Sequence, residues 1–362
     1  MLEPHRSALE KCVYCPKLCR SACPVSNAEP RETLTPWGKM SLTAFVAQGD
    51  VELAPSFAQP AWACTGCHAC RESCDHRNDV PTTLFAARDA LSLAGVAPPP
   101  AAKALAGFAR HAAATRHAVR ELSAHPAARQ EAPVALLLGC AYARALPKES
   151  RDAIGVALAL TSGPVSLVEA CCGLPLLHAG DAAGFARQGR ILAEETARKE
   201  VLLVVDAGCA EALRTRFPQH AVTLSPRVEL LVDRAAGALE RMGTLPGSTE
   251  PVRYHDSCQL GRGLGVYDPP RSVLTRILGR APDEFESHRE KAGCSGAGGL
   301  LPRTMPENAR AIGALRVAEH ERQGGGRIVT SCASSLLAFR RRGAKADDLV
   351  TWMARALPRY RP

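Results

Sequence analysis

The sequence predicts a chain in two parts: a helical, cysteine-rich region over residues 1–95, then two copies of an α/β domain built on a parallel sheet. Three observations predict it. Eight cysteines fall in two groups of four before residue 75; seven more recur in two series at matching intervals; and short β-rich runs ending in cysteine alternate with helical stretches through the second part. A length of 362 residues is enough for two or three domains that each bury a core.

The first group, "CVYCPKLCRSACP", places Cys12, Cys15, Cys19 and Cys23 at spacings x2, x3 and x3; the second, "CTGCHACRESCD", places Cys64, Cys67, Cys70 and Cys74 at x2, x2 and x3. Three thiolates within one or two turns can wrap one face of an iron–sulfur cubane while the fourth, set apart, reaches elsewhere. The pattern is similar to that of two-cluster ferredoxins, in which the last cysteine of each group ligates the other cluster. That resemblance implies two [4Fe–4S] clusters, one on Cys12, Cys15, Cys19 and Cys74 and the other on Cys64, Cys67, Cys70 and Cys23. The chain departs from the usual pattern by an extra residue between Cys15 and Cys19 and by Asp75 in place of proline. Zinc is the rival, since paired CxxC units also make structural zinc sites, normally with two ligands per pair. Helix-like "WGKMSLTAFVAQGD" and "TTLFAARDALSLAG" after the two groups suit an α-helical ferredoxin domain better than the compact β-rich kind. His68, inside the second group, reads as a surface or hydrogen-bonding residue rather than a ligand.

Three prolines open "GVAPPPAAKALAGFAR", so the first domain is expected to end near residue 95 and 96–132 to be a weakly helical connector. Then the chain repeats itself. Cys140, Cys171, Cys172 and Cys209 form one series, and Cys258, Cys294, Ser295 and Cys332 a second; the step from Cys172 to Cys209 and from Ser295 to Cys332 is 37 residues in both. Such agreement points to domain duplication, with boundaries at 133–248 and 249–362. "VALLLGC", "VSLVEACC", "VLLVVDAGC", "VRYHDSC" and "RIVTSC" each read as a short strand running into cysteine. Cysteines just past strand ends collect at the carboxyl edge of a parallel sheet, where α/β folds build their sites. "AEALRTRF" after Cys209 and "ASSLLAFRRRG" after Cys332 place those thiols at helix N-termini, which favour thiolate. Thr304 with Glu307 is a candidate capping box for the helix "ENARAIGALRVAEHE", which Gly324 to Gly326 end.

These residues resemble a family. "CCGLP" at 171–175, "YHDSCQLGRG" and "IVTSCASS" are similar to the Cys-Cys-Gly signature of heterodisulfide reductase-type domains. With the dicluster region, the order resembles the iron–sulfur subunits of glycolate oxidase, anaerobic glycerol-3-phosphate dehydrogenase and lactate-utilisation systems. The resemblance implies Rossmann-like repeated domains. It also implies a full motif of five cysteines, able to hold a noncubane cluster that cleaves disulfides. Here Ala212 stands where the last cysteine of the first copy belongs, and Ser295 and Ser335 replace two in the second. Cys140, Cys171, Cys172 and Cys209 still suffice for a further [4Fe–4S] cluster, whereas Cys258, Cys294 and Cys332 could hold a smaller cluster or none. His255 and Asp256, matching the family's "HDxC", read either as hydrogen-bonding neighbours of a cluster or as strand-end packing.

The function these features imply is electron transfer: a subunit without catalytic residues of its own, relaying electrons between an FAD-linked dehydrogenase or oxidase of the 2-hydroxy acid or glycerol-3-phosphate class and a quinone or other carrier. No GxGxxG follows a strand, so no flavin or NAD is expected on this chain. The other readings are a metal-stabilised interaction module and a thiol/disulfide reductase, the latter weakened by the missing fifth cysteine. The formal net charge is +9, but basic residues are spread along the chain and aromatics are only 4%, so no nucleic-acid partner is expected. Arg340 to Arg342 and the terminal arginines read as a solvated face and tail. Fifteen cysteines without a secretory signal or a membrane-spanning stretch predict a reducing, cytoplasmic setting, with any membrane association peripheral and at the inner face.

Overall fold

The computed structural model describes residues 2–123, 130–245 and 250–358. The first part is helical. Thr35 accepts a hydrogen bond from the Gly38 amide at 3.0 Å, Pro36 opens the helix Pro36–Gln48, and Gly49 closes it at φ 86°. This is a side-chain N-cap, a proline at the first turn and a left-handed C-terminal glycine. Asp79 caps Val80–Leu93 in the same way. These helices bury Met40, Trp62, Leu84 and Ala87 in one apolar cluster.

The stretch 96–132, expected as a weakly helical connector, carries the helices Pro99–Ala106 and Phe108–Leu122; its 124–129 lie outside the described residues. Ala101 and Val119 are buried; the alanines that follow the three prolines are strong helix formers.

Among the described residues are two four-stranded parallel sheets. β1 (Val134–Leu137), β2 (Ser166–Leu167), β3 (Val201–Val204) and β4 (Arg227–Leu230) lie in the order β2-β1-β3-β4, and β5 (Val252–His255), β6 (Asp283–Glu284), β7 (Arg327–Thr330) and β8 (Ala346–Asp348) in the order β6-β5-β7-β8. The same order twice is the duplication in three dimensions. β3 and β5 are buried at all four positions, as parallel strands covered on both faces are. In each sheet the chain leaves its first strand to one side and returns on the other. The order therefore switches between β1 and β3, and between β5 and β7, and their carboxyl ends open a crevice there. The expected boundary at 248/249 falls in 246–249, outside the described residues.

The parts form one packed body. Arg88, fully buried, donates to the carbonyls of Ala61 and Cys64 in the helical domain, His178 in the first α/β domain and Gly299 in the second, at 2.8–2.9 Å. Tyr142 donates to Asp348 Oδ2 at 2.6 Å between the two α/β domains. No described helix is long and apolar enough to cross a membrane.

Two local expectations are corrected. Thr304 and Glu307 form no capping box: the helix runs Pro306–Arg322 with Met305 at its N-cap, and the Thr304 hydroxyl instead donates to the Trp62 and Leu300 carbonyls. Arg340 and Arg342 are not simply solvated. Arg340 pairs with Glu149 at 2.8 Å, and Arg342 donates to the carbonyls of Ala309, Arg310 and Ala338. Arg359 and Arg361 lie outside the described residues.

Candidate metal centres

The eight amino-terminal cysteines separate into two cavities. One is lined by Cys12, Cys15, Cys19 and Cys74, together with Cys70. The other is lined by Cys23, Cys64, Cys67 and Cys70. The last cysteine of each sequence group thus sits with the other group. Proline at the start of Pro24–Ala28 turns the chain away just after Cys23, and the short helix Ala69–Glu72 carries Cys74 back.

The surroundings suit sulfur that bears negative charge. Backbone amides two residues on point at Cys15, Cys64, Cys171 and Cys294, from Lys17, Gly66, Gly173 and Gly296 at 3.3–3.4 Å. Asn78 donates to Cys12 Sγ at 3.1 Å. Lys39, 2% exposed, places Nζ 3.4 Å from Cys23 Sγ. A buried ammonium needs an anionic partner. Burial pushes the Cys12 thiol up to about 12 and Cys19 to about 11, so crowded thiols of this kind ionise together only around a cationic core. This donor set fits an iron–sulfur cluster in each cavity.

His68 is a buried hydrogen-bonding residue, not a surface one. Its Nδ1 is 3.2 Å from Asp79 Oδ1 and its Nε2 3.3 Å from Arg216, which pairs with Glu211 at 2.7 Å. Burial works against the Asp79 carboxylate, but the contact with His68 Nδ1, the hydrogen bond from Thr82 and the Arg216 charge hold its pKa below the usual range.

The first α/β domain gathers its cysteines at the switch crevice. Cys140 follows β1, Cys171 and Cys172 follow β2, and Cys209 follows β3 in the helix Ala207–Glu211, capped by Asp206. Cys209 Sγ lies 3.3 Å from Cys172 Sγ. The hydrogen bond to Cys172 lowers the Cys209 pKa, yet burial and neighbouring Asp206 push it up to about 12. Gly139 must be glycine: φ is +96°, and a Cβ there would meet Asp206 Cβ at 2.8 Å and Cys209 Sγ at 3.3 Å. Ala212, at the fifth position, is fully buried in a π-helical turn.

The second α/β domain is arranged differently. Cys294 packs with Cys23 and Cys67 in an apolar cluster that Cys258 joins. The Cys294 thiol donates to Thr65 Oγ1 at 3.7 Å; its closeness to Cys67, together with the Arg262 charge, holds the Cys67 pKa down, while its own is raised. Arg262 donates to the Cys67 carbonyl at 2.6 Å and the Ala292 carbonyl at 2.7 Å. Cys332 is the N-cap of Ala333–Arg340. Ser295 and Ser335 bond to each other at 2.8 Å. Residues 294–299, "CSGAGG", pack directly on the Cys64 loop: a Cβ on Gly298 would meet Thr65 O at 2.4 Å, and one on Gly299 Cys64 O at 2.1 Å. His255 accepts from Arg316 at 3.3 Å and stands edge-on to Phe339, while Asp256 holds Arg271 through both oxygens at 2.8 Å and accepts the Arg289 amide.

The sequence reading did not single out Lys39, Asn78 or Arg262. Lys39 had a signal, as the one charge in the run Pro36–Gln48; the other two depend on contacts across 66 and 195 residues.

Comparison with known proteins agrees with this layout. Residues 8–78 match the 4Fe-4S dicluster domain, and residues 134–214 and 252–340 each match the cysteine-rich domain. The chain is 30% identical over 158 residues to a subunit of the dihydromethanophenazine:CoB–CoM heterodisulfide reductase of Methanosarcina barkeri, covering 41% of this chain and 38% of that protein. It is 24% identical over 344 residues to a subunit of the fumarate reductase (CoM/CoB) of Methanothermobacter marburgensis, covering 90% of this chain and 66% of that one. A probable iron-sulfur-binding oxidoreductase of Bacillus subtilis is 45% identical over 67 residues, 18% of this chain and 10% of that protein. The match thus spans well under two thirds of the length of the heterodisulfide reductase polypeptide.

Proposed function

We propose that this chain, an iron–sulfur protein built from one 4Fe-4S dicluster domain and two cysteine-rich domains, is the electron-relaying subunit of an oxidoreductase. Its partner in this reading is an FAD-linked dehydrogenase or oxidase acting on a 2-hydroxy acid or glycerol-3-phosphate-class substrate, and its acceptor a quinone or other carrier. The relatives named as parts of reductases support a multi-subunit setting. The observation that carries the reading is the crossing of Cys23 and Cys74 between two cavities whose sulfurs are met by N–H donors and a buried lysine.

Cys12, Cys15, Cys19 and Cys74 would hold one [4Fe–4S] cluster, Cys23, Cys64, Cys67 and Cys70 a second, and Cys140, Cys171, Cys172 and Cys209 a third. When bound, such clusters take up and release electrons at potentials set by net charge, hydrogen bonds to sulfur and exposure. The chain's own groups set those terms. Lys39 and Arg262 offset negative charge at the second centre, Asn78 and the amides of Lys17, Gly66 and Gly173 donate to sulfur, and the apolar packing around Cys23 and Cys67 keeps water out. In this reading the second cysteine-rich domain is a scaffold that covers the Cys67 side through Cys294 and the 296–299 glycines, and His255 and Asp256 serve strand-end packing. This reading keeps the domain bounds 1–95, 133–248 and 249–362, with the helices Pro99–Ala106 and Phe108–Leu122 lying between the first two. Disulfide cleavage at a noncubane centre is disfavoured by Ala212 and Ser335 at the fifth positions. We place the protein in the cytoplasm, with any membrane contact made through its partner.

The test is anaerobic purification with iron, sulfide and zinc quantified and EPR recorded after dithionite. About twelve irons per chain with matching sulfide and reducible signals are expected for three cubanes. Stoichiometric zinc without sulfide overturns the reading.

A further inference from the structure

We infer that His111 is a hydrogen-bond donor to the thiolates of the first cysteine-rich domain, fixed in that role by Arg144; this rests on the reading of Cys140, Cys171, Cys172 and Cys209 as cluster ligands. His111 lies on the helix Phe108–Leu122, outside the residues that match either domain family. A ring nitrogen of His111 and the sulfurs of Cys140 and Cys171 all lie within 4.8 Å of one another.

Proximity alone allows two roles, iron ligand or donor to sulfur, and Arg144 separates them. Its Nη1 lies 2.6 Å from His111 Nδ1. A guanidinium only donates, so Nδ1 is the acceptor and, in a neutral imidazole, the ring proton sits on Nε2. Nε2 is buried with no protein partner. A nitrogen that carries a proton has no lone pair for iron, but it is the donor that a thiolate accepts from. The imidazole is further held by stacking on Phe108, with centroids 6.0 Å apart and planes at 27°. Arg144 belongs to the helix Cys140–Ala145 that begins with a thiol of the site, so one short helix supplies both a sulfur and the arginine that orients the ring toward it.

A hydrogen bond to thiolate stabilises the more negative, reduced cluster and so raises its potential. The test uses the full chain, purified anaerobically, and follows the EPR signal that Cys209→Ser abolishes. In a redox titration His111→Leu is expected to lower the reduced-to-oxidised ratio of that centre about tenfold at the wild-type midpoint, or about 59 mV for one electron. His111→Gln, which keeps an N–H, restores most of it, and iron content stays unchanged in both. Independently of any variant, wild-type protein labelled with 15N-histidine should show an exchangeable proton coupled to this centre and only weak nitrogen coupling. An unchanged midpoint in His111→Leu overturns the inference. So does strong, directly bonded nitrogen coupling, or loss of this centre's iron alone, either of which makes His111 a ligand. If wild-type protein holds no third cluster, the reading beneath falls and takes the inference with it.

Discussion

The Oγ atoms of Ser295 and Ser335 lie 2.8 Å apart, and both residues are buried. These are the two positions at which the second cysteine-rich domain has serine where the resemblance to Cys-Cys-Gly domains implies cysteine. The substitutions have satisfied one another: two hydroxyls that would each be costly alone are paired. Removing one partner strands the other, whereas removing both does not. Ser295→Ala or Ser335→Ala is therefore expected to lower stability by about 1–3 kcal/mol, and the double variant by less than the sum. A double-mutant cycle from thermal unfolding measures this, and additive losses would contradict the pairing.

Ser295→Cys restores to the second copy the four-cysteine set that the first copy has. It also breaks the serine pair and leaves Cys294 packed against Cys67 and bonded to Thr65. The expected outcome is no gain in bound iron over wild type. A gain approaching four irons per chain would show that the second copy still has a cluster site and is not only a scaffold.

Lys39 is the cation against Cys23. Lys39→Met removes a charge that stabilises the reduced state of the cluster assigned to Cys23, Cys64, Cys67 and Cys70, so its midpoint should fall. The drop is expected to be roughly 60–120 mV, one to two factors of ten for a one-electron couple, while the cluster near Cys12 moves much less. Potentiometric EPR separates the two.

Gly299 has φ +61°, and a Cβ would sit 2.1 Å from the Cys64 carbonyl oxygen. Gly299→Ala should push the second α/β domain off the loop that bears Cys64 and disturb the Arg88 contacts to both residues. We expect a loss of about 2–4 kcal/mol from overpacking and backbone strain together. The iron assigned to Cys23, Cys64, Cys67 and Cys70 should be lost before that near Cys12, as read by EPR during a mild chelator challenge.

Asp348, buried beneath Tyr142, has its pKa pushed up to about 7 by burial, against the hydrogen bond from the tyrosine. A carboxyl whose folded value lies above its unfolded value of about 4 holds its proton more tightly in the folded chain. Its contribution to stability is complete below pH of about 4 and is lost as the pH rises through about 7. Asp348→Asn should flatten that part of the stability profile by a few kcal/mol across the window, seen as a smaller fall in melting temperature between pH of about 5 and about 8.

The sequence by itself determined the parts that depend on local spacing. The two groups of four cysteines, the 37-residue repeat interval and the strand-then-cysteine runs predicted a helical region and two parallel-sheet domains. Cysteine placement followed because β1, β3, β5 and β7 each end just before a thiol, and the sheet order makes their carboxyl ends adjacent. Only the tertiary structure decided what surrounds those thiols. An Ala-rich stretch that read as a connector folds as helices and carries His111 to Cys140 and Cys171. Gly298 and Gly299 are the contact with Cys64 and Thr65. Lys39 and Asn78 meet their sulfurs across 16 and 66 residues, and Arg262 reaches Cys67 across 195. Spacing records which atoms share a turn or a strand end. Charge, hydrogen bonding and exclusion of water at the sulfurs come from long-range packing, which no local pattern encodes.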